Sequence, residues 1–359
     1  MNKFILAFIV SAGTLSVSAK NDITIKSAVN NDTVYYYCYD VQDMADRVFP
    51  ADKQFVTLKK GKATIPVPDD GAIFEFWGPG LFNGNSGPIV SPPGKNIIFT
   101  VKGSDKSNMR VSGSELAANI LAIEALGDSL QAIIRSLPED DKVAFDSIYT
   151  LWRKRYDNAL PYHLNDDFGI YCLDKATIDT MNKYFDSIPE PHKDAFFAPV
   201  YGQNRTTIEN YRERMAAKER IKVGADAPEF ILPDMNDNLV SLSSFRGKWV
   251  LLDFWGSWCK WCMIGVPQMK ENYTKFSDKC EFIGIDCNDL KEDWIKCVKA
   301  NDMDWVQLFN KPKNGKPASI IYGVSGYPTK ILINPDGRIA KICVGEDKTF
   351  YDDFSELMK

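Results

Sequence analysis

The apolar run Trp249-Val250-Leu251-Leu252-Asp253-Phe254-Trp255, followed after a short turn by Trp258-Cys259-Lys260-Trp261-Cys262, limits what this chain can fold into more than any other feature. Seven such residues ended by Gly256 read as a buried strand, and the segment after them reads as a helix, so the two cysteines stand where a strand hands over to a helix. A helix N-terminus presents unpaired N–H groups and positive dipole charge, which favours the thiolate of a cysteine placed there. Two intervening residues put the second sulfur one helical turn away, where it can release a mixed disulfide by closing a small ring. Half of a zinc site would need two further ligands at comparable spacing; the chain has only His163 and His192, both far upstream, so no metal is expected. A c-type haem site would need histidine after the second cysteine, and Met263 stands there. The motif implies dithiol redox chemistry with no cofactor.

A chain of 359 residues, 45 % hydrophobic and 12 % aromatic, has ample material for two or three packed domains. Met1-Asn2-Lys3, the apolar stretch Phe4–Val10 and Val17-Ser18-Ala19 read as an export signal over residues 1–19, with the mature chain beginning at Lys20. The stretch is short for a membrane anchor, and no later segment is expected to span a membrane. Lys3 is the one charged residue of that leader, so the net charge of −5 becomes −6 on its removal, which excludes any electrostatic case for nucleic acid. Export implies an oxidising compartment, the periplasm. There Cys38, Cys172, Cys280, Cys287, Cys297 and Cys343 could form bridges or remain buried thiols, and the sequence assigns no pair.

The expected fold class is multi-domain. Over residues 20–112, short β-rich runs at Thr33–Tyr39, Gln54–Leu58, Ala63–Val67, Ala72–Trp77 and Asn96–Lys102 alternate with Gly, Pro and Asp clusters, as in a small antiparallel β domain. The Gly78–Gly84 stretch has glycines but no following helix and reads as a surface loop. Over 113–222 the spacing turns helical, with Ser114 as a cap and prolines that break the region into four to six helices. Over 223–359 strands and helices alternate as in a parallel-cored α/β sheet with crossover helices, ending in a helix over 349–358.

Four elements in order carry a resemblance: Gly224-Ala225-Asp226-Ala227-Pro228-Glu229-Phe230, Ser241-Leu242-Ser243-Ser244-Phe245-Arg246-Gly247-Lys248, Asp253-Phe254-Trp255 with the dithiol, and Gly326-Tyr327-Pro328-Thr329. Together they resemble a thioredoxin-like module of the TlpA/ResA type, the extracytoplasmic thiol–disulfide oxidoreductases. Residues 20–112 resemble the β-rich domain of unknown role fused ahead of such modules in some Gram-negative bacteria. The resemblance implies that Pro328 belongs to a cis-proline loop beside the dithiol, where the Tyr327 backbone pairs with an extended substrate. It also implies that Asp253 is a buried acid able to take or return the proton of Cys262. The ResA type places an acid three residues after the second cysteine, where this chain has Gly265, so Asp253 is expected to do that work alone.

The expected mechanism is attack by Cys259, the first and more exposed thiol, on a substrate disulfide, followed by resolution by Cys262. Trp258 and Trp261 would form an apolar rim for a protein substrate, or simply pack. Lys260 would move the potential by tens of millivolts at most. The implied partners are protein disulfides, such as those of apocytochromes in cytochrome c biogenesis, and an upstream thiol electron donor. The resemblance favours a reductase; the dipeptide between the cysteines leaves a disulfide oxidase or isomerase open. A thiol peroxidase would need a Pro-x-x-x-Thr pattern before its cysteine, and Leu252 and Gly256 hold those positions. The third alternative is a partner-binding protein whose redox site is secondary.

Overall fold

The computed structural model describes residues 21–359 apart from 29–31, 49, 79–84, 103–107 and 139–140. The leader at 1–19 and most of the Gly78–Gly84 loop lie outside the described residues. Contact density divides the chain into two units at Thr206/Thr207.

The first unit opens with β1 (Asp22–Ser27), β2 (Thr33–Tyr39), α1 (Val41–Asp46), β3 (Gln54–Thr57), β4 (Lys62–Pro66), β5 (Ala72–Trp77), β6 (Pro88–Ser91), β7 (Ile97–Val101) and β8 (Arg110–Ser112). They form two four-stranded sheets ordered β4-β1-β7-β8 and β3-β2-β5-β6. Alternate residues of both sheets, among them Ile23, Ile25, Val34, Tyr36, Phe74, Phe76, Ile97 and Phe99, meet in one core, as period-two patterning requires. One feature corrects the expected all-antiparallel sheet: β1 pairs with β7 in parallel, Ile23 opposite Ile97. The two strands are remote in sequence, so no hairpin turn announces their pairing.

The helices α2 (Glu115–Ser136), α3 (Lys142–Ala159), α4 (Asp167–Lys175), α5 (Ile178–Tyr184) and α6 (Ala198–Arg220) follow, the last running across the division between the units. Ser114 caps α2, accepting from Ala117 N at 3.3 Å. The same helix corrects the expectation about membrane spans. By length and composition alone Glu115–Ser136 could cross a bilayer, since its few charges leave an apolar window long enough. A core helix passes the same test, and here Ala117 and Leu121 pack into the core of the two sheets while Glu124 accepts hydrogen bonds from Tyr156 and Tyr171, each at 2.6 Å.

The second unit contains β9 (Ile231–Pro233), β10 (Leu239–Ser241), β11 (Trp249–Trp255), α7 (Lys260–Phe276), β12 (Cys280–Asp286), α8 (Lys291–Ala300), β13 (Val306–Phe309), α9 (Ala318–Ile321), β14 (Thr329–Ile333), β15 (Ile339–Val344) and α10 (Phe354–Leu357). The five-stranded sheet is ordered β13-β12-β11-β14-β15, with β11, β12 and β13 parallel to one another and β14 antiparallel to both of its neighbours, β11 and β15. The helix expected over 349–358 is reduced to α10, preceded by turns. Strand parity sets the site. Leu251 and Trp255 face the core that holds Cys259, Cys262, Val266 and Met269, whereas Val250, Leu252 and Phe254 face the opposite core. Asp253 shares the parity of Leu251 and Trp255, which turns its carboxyl toward the α7 side of the sheet.

Candidate active site

Cys259 is the N-cap of α7, and its sulfur accepts from Cys262 N at 3.2 Å. The two cysteines are joined in a disulfide, with Cα atoms 5.3 Å apart. Cys259 is not the more exposed partner, which corrects the sequence expectation: both residues are 6 % exposed. The Cys259 sulfur turns inward to cap the helix and so leaves the surface, and the exposed parts of the motif are Lys260, Trp258 and Trp261.

The turn ahead of the dithiol is tied down on its other side. Asp289 accepts from Ser257 N at 2.7 Å and from Ser257 Oγ at 2.8 Å, and Trp258 Nε1 donates to Cys287 O at 2.9 Å. Gly256 is required here because a Cβ at that position would lie 2.9 Å from Cys287 O. The Trp258 indole meets the Tyr327 ring edge-on at 5.3 Å, so the loop before β14 stands against the dithiol turn; the Tyr327–Pro328 bond in that loop is cis. Among the sequence candidates, Tyr327 is half-buried, Pro328 is buried, and Lys260 and Trp261 project into solvent.

Beneath α7 lies a buried ionic network. Lys330 Nζ is 2.8 Å from Glu346 Oε2 and 3.9 Å from Asp253 Oδ1. All three side chains are nearly inaccessible, and Asp253 Oδ1 accepts no hydrogen bond among the described residues. Burial pushes the Asp253 carboxyl above the usual carboxylate range, Lys330 pulls it back, and Glu346 pushes it further up. Burial opposes the charge on Lys330, yet Asp253 and Glu346 outweigh it and hold the amine protonated. A second carboxyl, Asp286 at the end of β12, is buried beside Asp289, and burial with that neighbour pushes it up to about 9.

The six other cysteines are free. Burial pushes Cys38 up to about 11 and Cys172, Cys280 and Cys287 up to about 12, which keeps them as thiols at neutral pH. No group of three or more metal-ligating side chains occurs among the described residues.

Sequence reasoning missed Lys330, Glu346, Asp286, Asp289 and Ser257. Lys330 was detectable: a lysine inside Thr329-Lys330-Ile331-Leu332-Ile333 must find an anion if that strand is buried. Glu346 carried no such signal, because only the fold brings its loop to α7.

The profile of the AhpC/TSA family matches residues 223–342. The thiol-disulfide oxidoreductase ResA of Bacillus subtilis is 32 % identical over 151 residues, covering 42 % of this chain and 83 % of the relative. The ResA protein of Bacillus cereus is 33 % identical over 137 residues, covering 38 % and 78 %. The solved thioredoxin domain of a thiol-disulfide oxidoreductase from Bacteroides vulgatus is 29 % identical, covering 38 % of this chain and 99 % of that domain, with a TM-score of 0.36. With its strand–dithiol–helix core, its helix-capping cysteine and its likeness to the two ResA proteins, the chain belongs through its second unit to the ResA thiol–disulfide oxidoreductases, enzymes of thioredoxin-like fold.

Proposed function

We propose that this protein is a periplasmic dithiol reductase of protein disulfides. The observation that carries the chemistry is the hydrogen bond from Cys262 N to the Cys259 sulfur at the N-cap of α7, a donor already in place to hold a thiolate on Cys259. Cys259 is therefore assigned as nucleophile on its capping position, its exposure being no greater than that of Cys262. Its thiolate attacks a substrate disulfide and expels one substrate thiolate; Cys262 then gives its proton to Asp253 and attacks Cys259. The Cys259–Cys262 bond forms, the bond from Cys259 to the substrate sulfur breaks, and two electrons have passed to the substrate. An upstream thiol donor must return them.

Trp258 at 53 % exposure and Trp261 at 62 %, with Ile264 and Leu290 also exposed, give an apolar rim suited to an unfolded segment around a disulfide. The leader-like residues 1–19 support export to the periplasm. The reducing direction is supported by likeness to ResA proteins.

The test is capture. A Cys262→Ala variant exposed to a periplasmic extract is expected to accumulate disulfide-linked protein adducts at Cys259, dissolved by dithiothreitol and absent from the Cys259→Ala, Cys262→Ala double variant. No adduct with any periplasmic protein, or turnover of hydrogen peroxide at rates above disulfide exchange, would overturn the reading.

A further inference from the structure

We infer that Glu346, delivered by the loop after β15, is a positioning residue for the dithiol's proton transfer and takes, from a different element, the place of an acid on α7. The inference rests on the dithiol exchange proposed above.

Gly265 lies three residues after Cys262 in α7, so the two positions share a helix face one turn apart. Gly265 is buried, and a Cβ built there would lie 2.7 Å from Glu346 Cδ, with the carboxylate oxygens closer still or comparable. The space into which a side chain at 265 would grow is therefore already occupied by a carboxylate. An acid at 265 and an acid at 346 are mutually exclusive solutions to one packing problem, and the glycine is what admits the second. Glu346 is not an idle filler: it bonds Lys330 at 2.8 Å, and Lys330 stands 3.9 Å from the unpaired Oδ1 of Asp253.

The arrangement is two buried carboxyls sharing one cation. Two negative charges against one positive charge leave a net deficit of one when both are ionised, so one carboxyl is primed to hold a proton. Asp253, farther from the amine and with no hydrogen bond on Oδ1, is the one whose affinity for an incoming proton is raised, while Glu346 keeps the short bond to Lys330. Glu346 thus acts through Lys330: by occupying the amine it prevents Lys330 from fully neutralising Asp253, which leaves Asp253 basic enough to accept the Cys262 proton. The other titratable groups around the network are Cys343 on β15, Tyr351 ahead of α10, and Cys287 after β12; burial keeps all three protonated near neutral pH, so they add no charge.

Replacing Glu346 by glutamine keeps the shape and a hydrogen bond to Lys330 and removes the charge. The experiment follows the resolving step, release of a model thiol from a preformed mixed disulfide on Cys259, across pH in wild type and Glu346→Gln. The expected result is that the inflection belonging to Asp253 moves down by about one pH unit and the rate near pH 7 falls about three- to tenfold. Moving the acid back, as Gly265→Glu with Glu346→Gly, is expected to restore the inflection. An unchanged inflection in Glu346→Gln would mean that Glu346 only tethers Lys330, and would overturn the inference. Should either variant fail to fold, carboxyl carbon-13 titration of the wild-type protein decides: both Asp253 and Glu346 must respond to reduction of the dithiol, and a silent Glu346 overturns the inference. Adduct formation by Cys262→Ala does not involve Glu346, so loss of the adduct defeats the dithiol reading itself, whereas an unmoved inflection with the adduct intact defeats only this inference.

Discussion

Two carboxyls, Asp253 and Asp286, are buried in the second unit, and they are held in opposite ways. Asp253, on the α7 side of the sheet, has a cation beside it: Lys330 at 3.9 Å, shared with Glu346. Asp286, at the end of β12, has no cation within ion-pair distance among the described residues; the Asp289 backbone N–H and the more distant Lys311 offset only part of its burial, and its nearest ionisable neighbour is the Asp289 carboxyl, which it can bond only through a shared proton. The first arrangement raises the proton affinity of the carboxyl through burial while a cation opposes that rise, so the proton can be both taken and returned. The second stores a proton. Its purpose is mechanical, because Asp289 uses its own oxygens to hold Ser257 N and Oγ and thereby the turn that carries Trp258 and Cys259.

The contrast is broken most severely by making Asp253 as cation-poor as Asp286. Lys330→Met leaves Asp253 and Glu346 buried without their partner, and is expected to lower stability by about 3–5 kcal/mol at neutral pH, with the loss shrinking at acid pH as the carboxyls protonate. Urea unfolding at several pH values checks this. Asp253→Asn removes the exchangeable proton: resolution of the Cys259 mixed disulfide is expected to slow by roughly 10²-fold at pH 7, with the first attack by Cys259 much less affected. Stopped-flow measurement of the two steps separates them.

On the other side, Asp286→Asn sharpens the comparison. A carboxyl whose folded value is raised to about 9 stabilises the fold fully below its unfolded value and loses that contribution as pH rises through 9. The melting temperature of Asp286→Asn relative to wild type is therefore expected to climb from about pH 4 to about pH 9 and then level off. A flat difference would mean that the proton is not held there. The smallest effect is expected from Ser257→Ala, about 1 kcal/mol, since Asp289 keeps the backbone N–H of the turn; calorimetry would measure it.

How much of this was legible in the sequence follows from the range of each interaction. The strand Trp249–Trp255 and the dithiol could be read because apolar periodicity and a four-residue motif are local, and strand β11 has the bounds expected. The β-rich and helical character of the first unit was legible for the same reason. Its β1–β7 pairing was not, because parallel partners are joined by no turn whose residues could declare it. In the site, Asp253 could be found as an acid in an apolar strand. The absence of an acid at Gly265 could also be seen, and led to the expectation that Asp253 works without a second carboxylate. The fold places Glu346 in that space and Lys330 between, a juxtaposition of α7, β14 and a distant loop that no local pattern encodes.

The central claim, that Cys259 and Cys262 form an exchanging pair poised to reduce its partners, is tested most directly by the reduction potential of that pair. The purified protein would be equilibrated in graded thiol–disulfide buffers, and the oxidised fraction at Cys259 and Cys262 read by alkylation and mass spectrometry. The account predicts a value near thioredoxin's, roughly −270 mV, so that electrons flow outward to substrate disulfides. A value between roughly −180 and −120 mV would contradict it and mark a protein that makes or reshuffles disulfides.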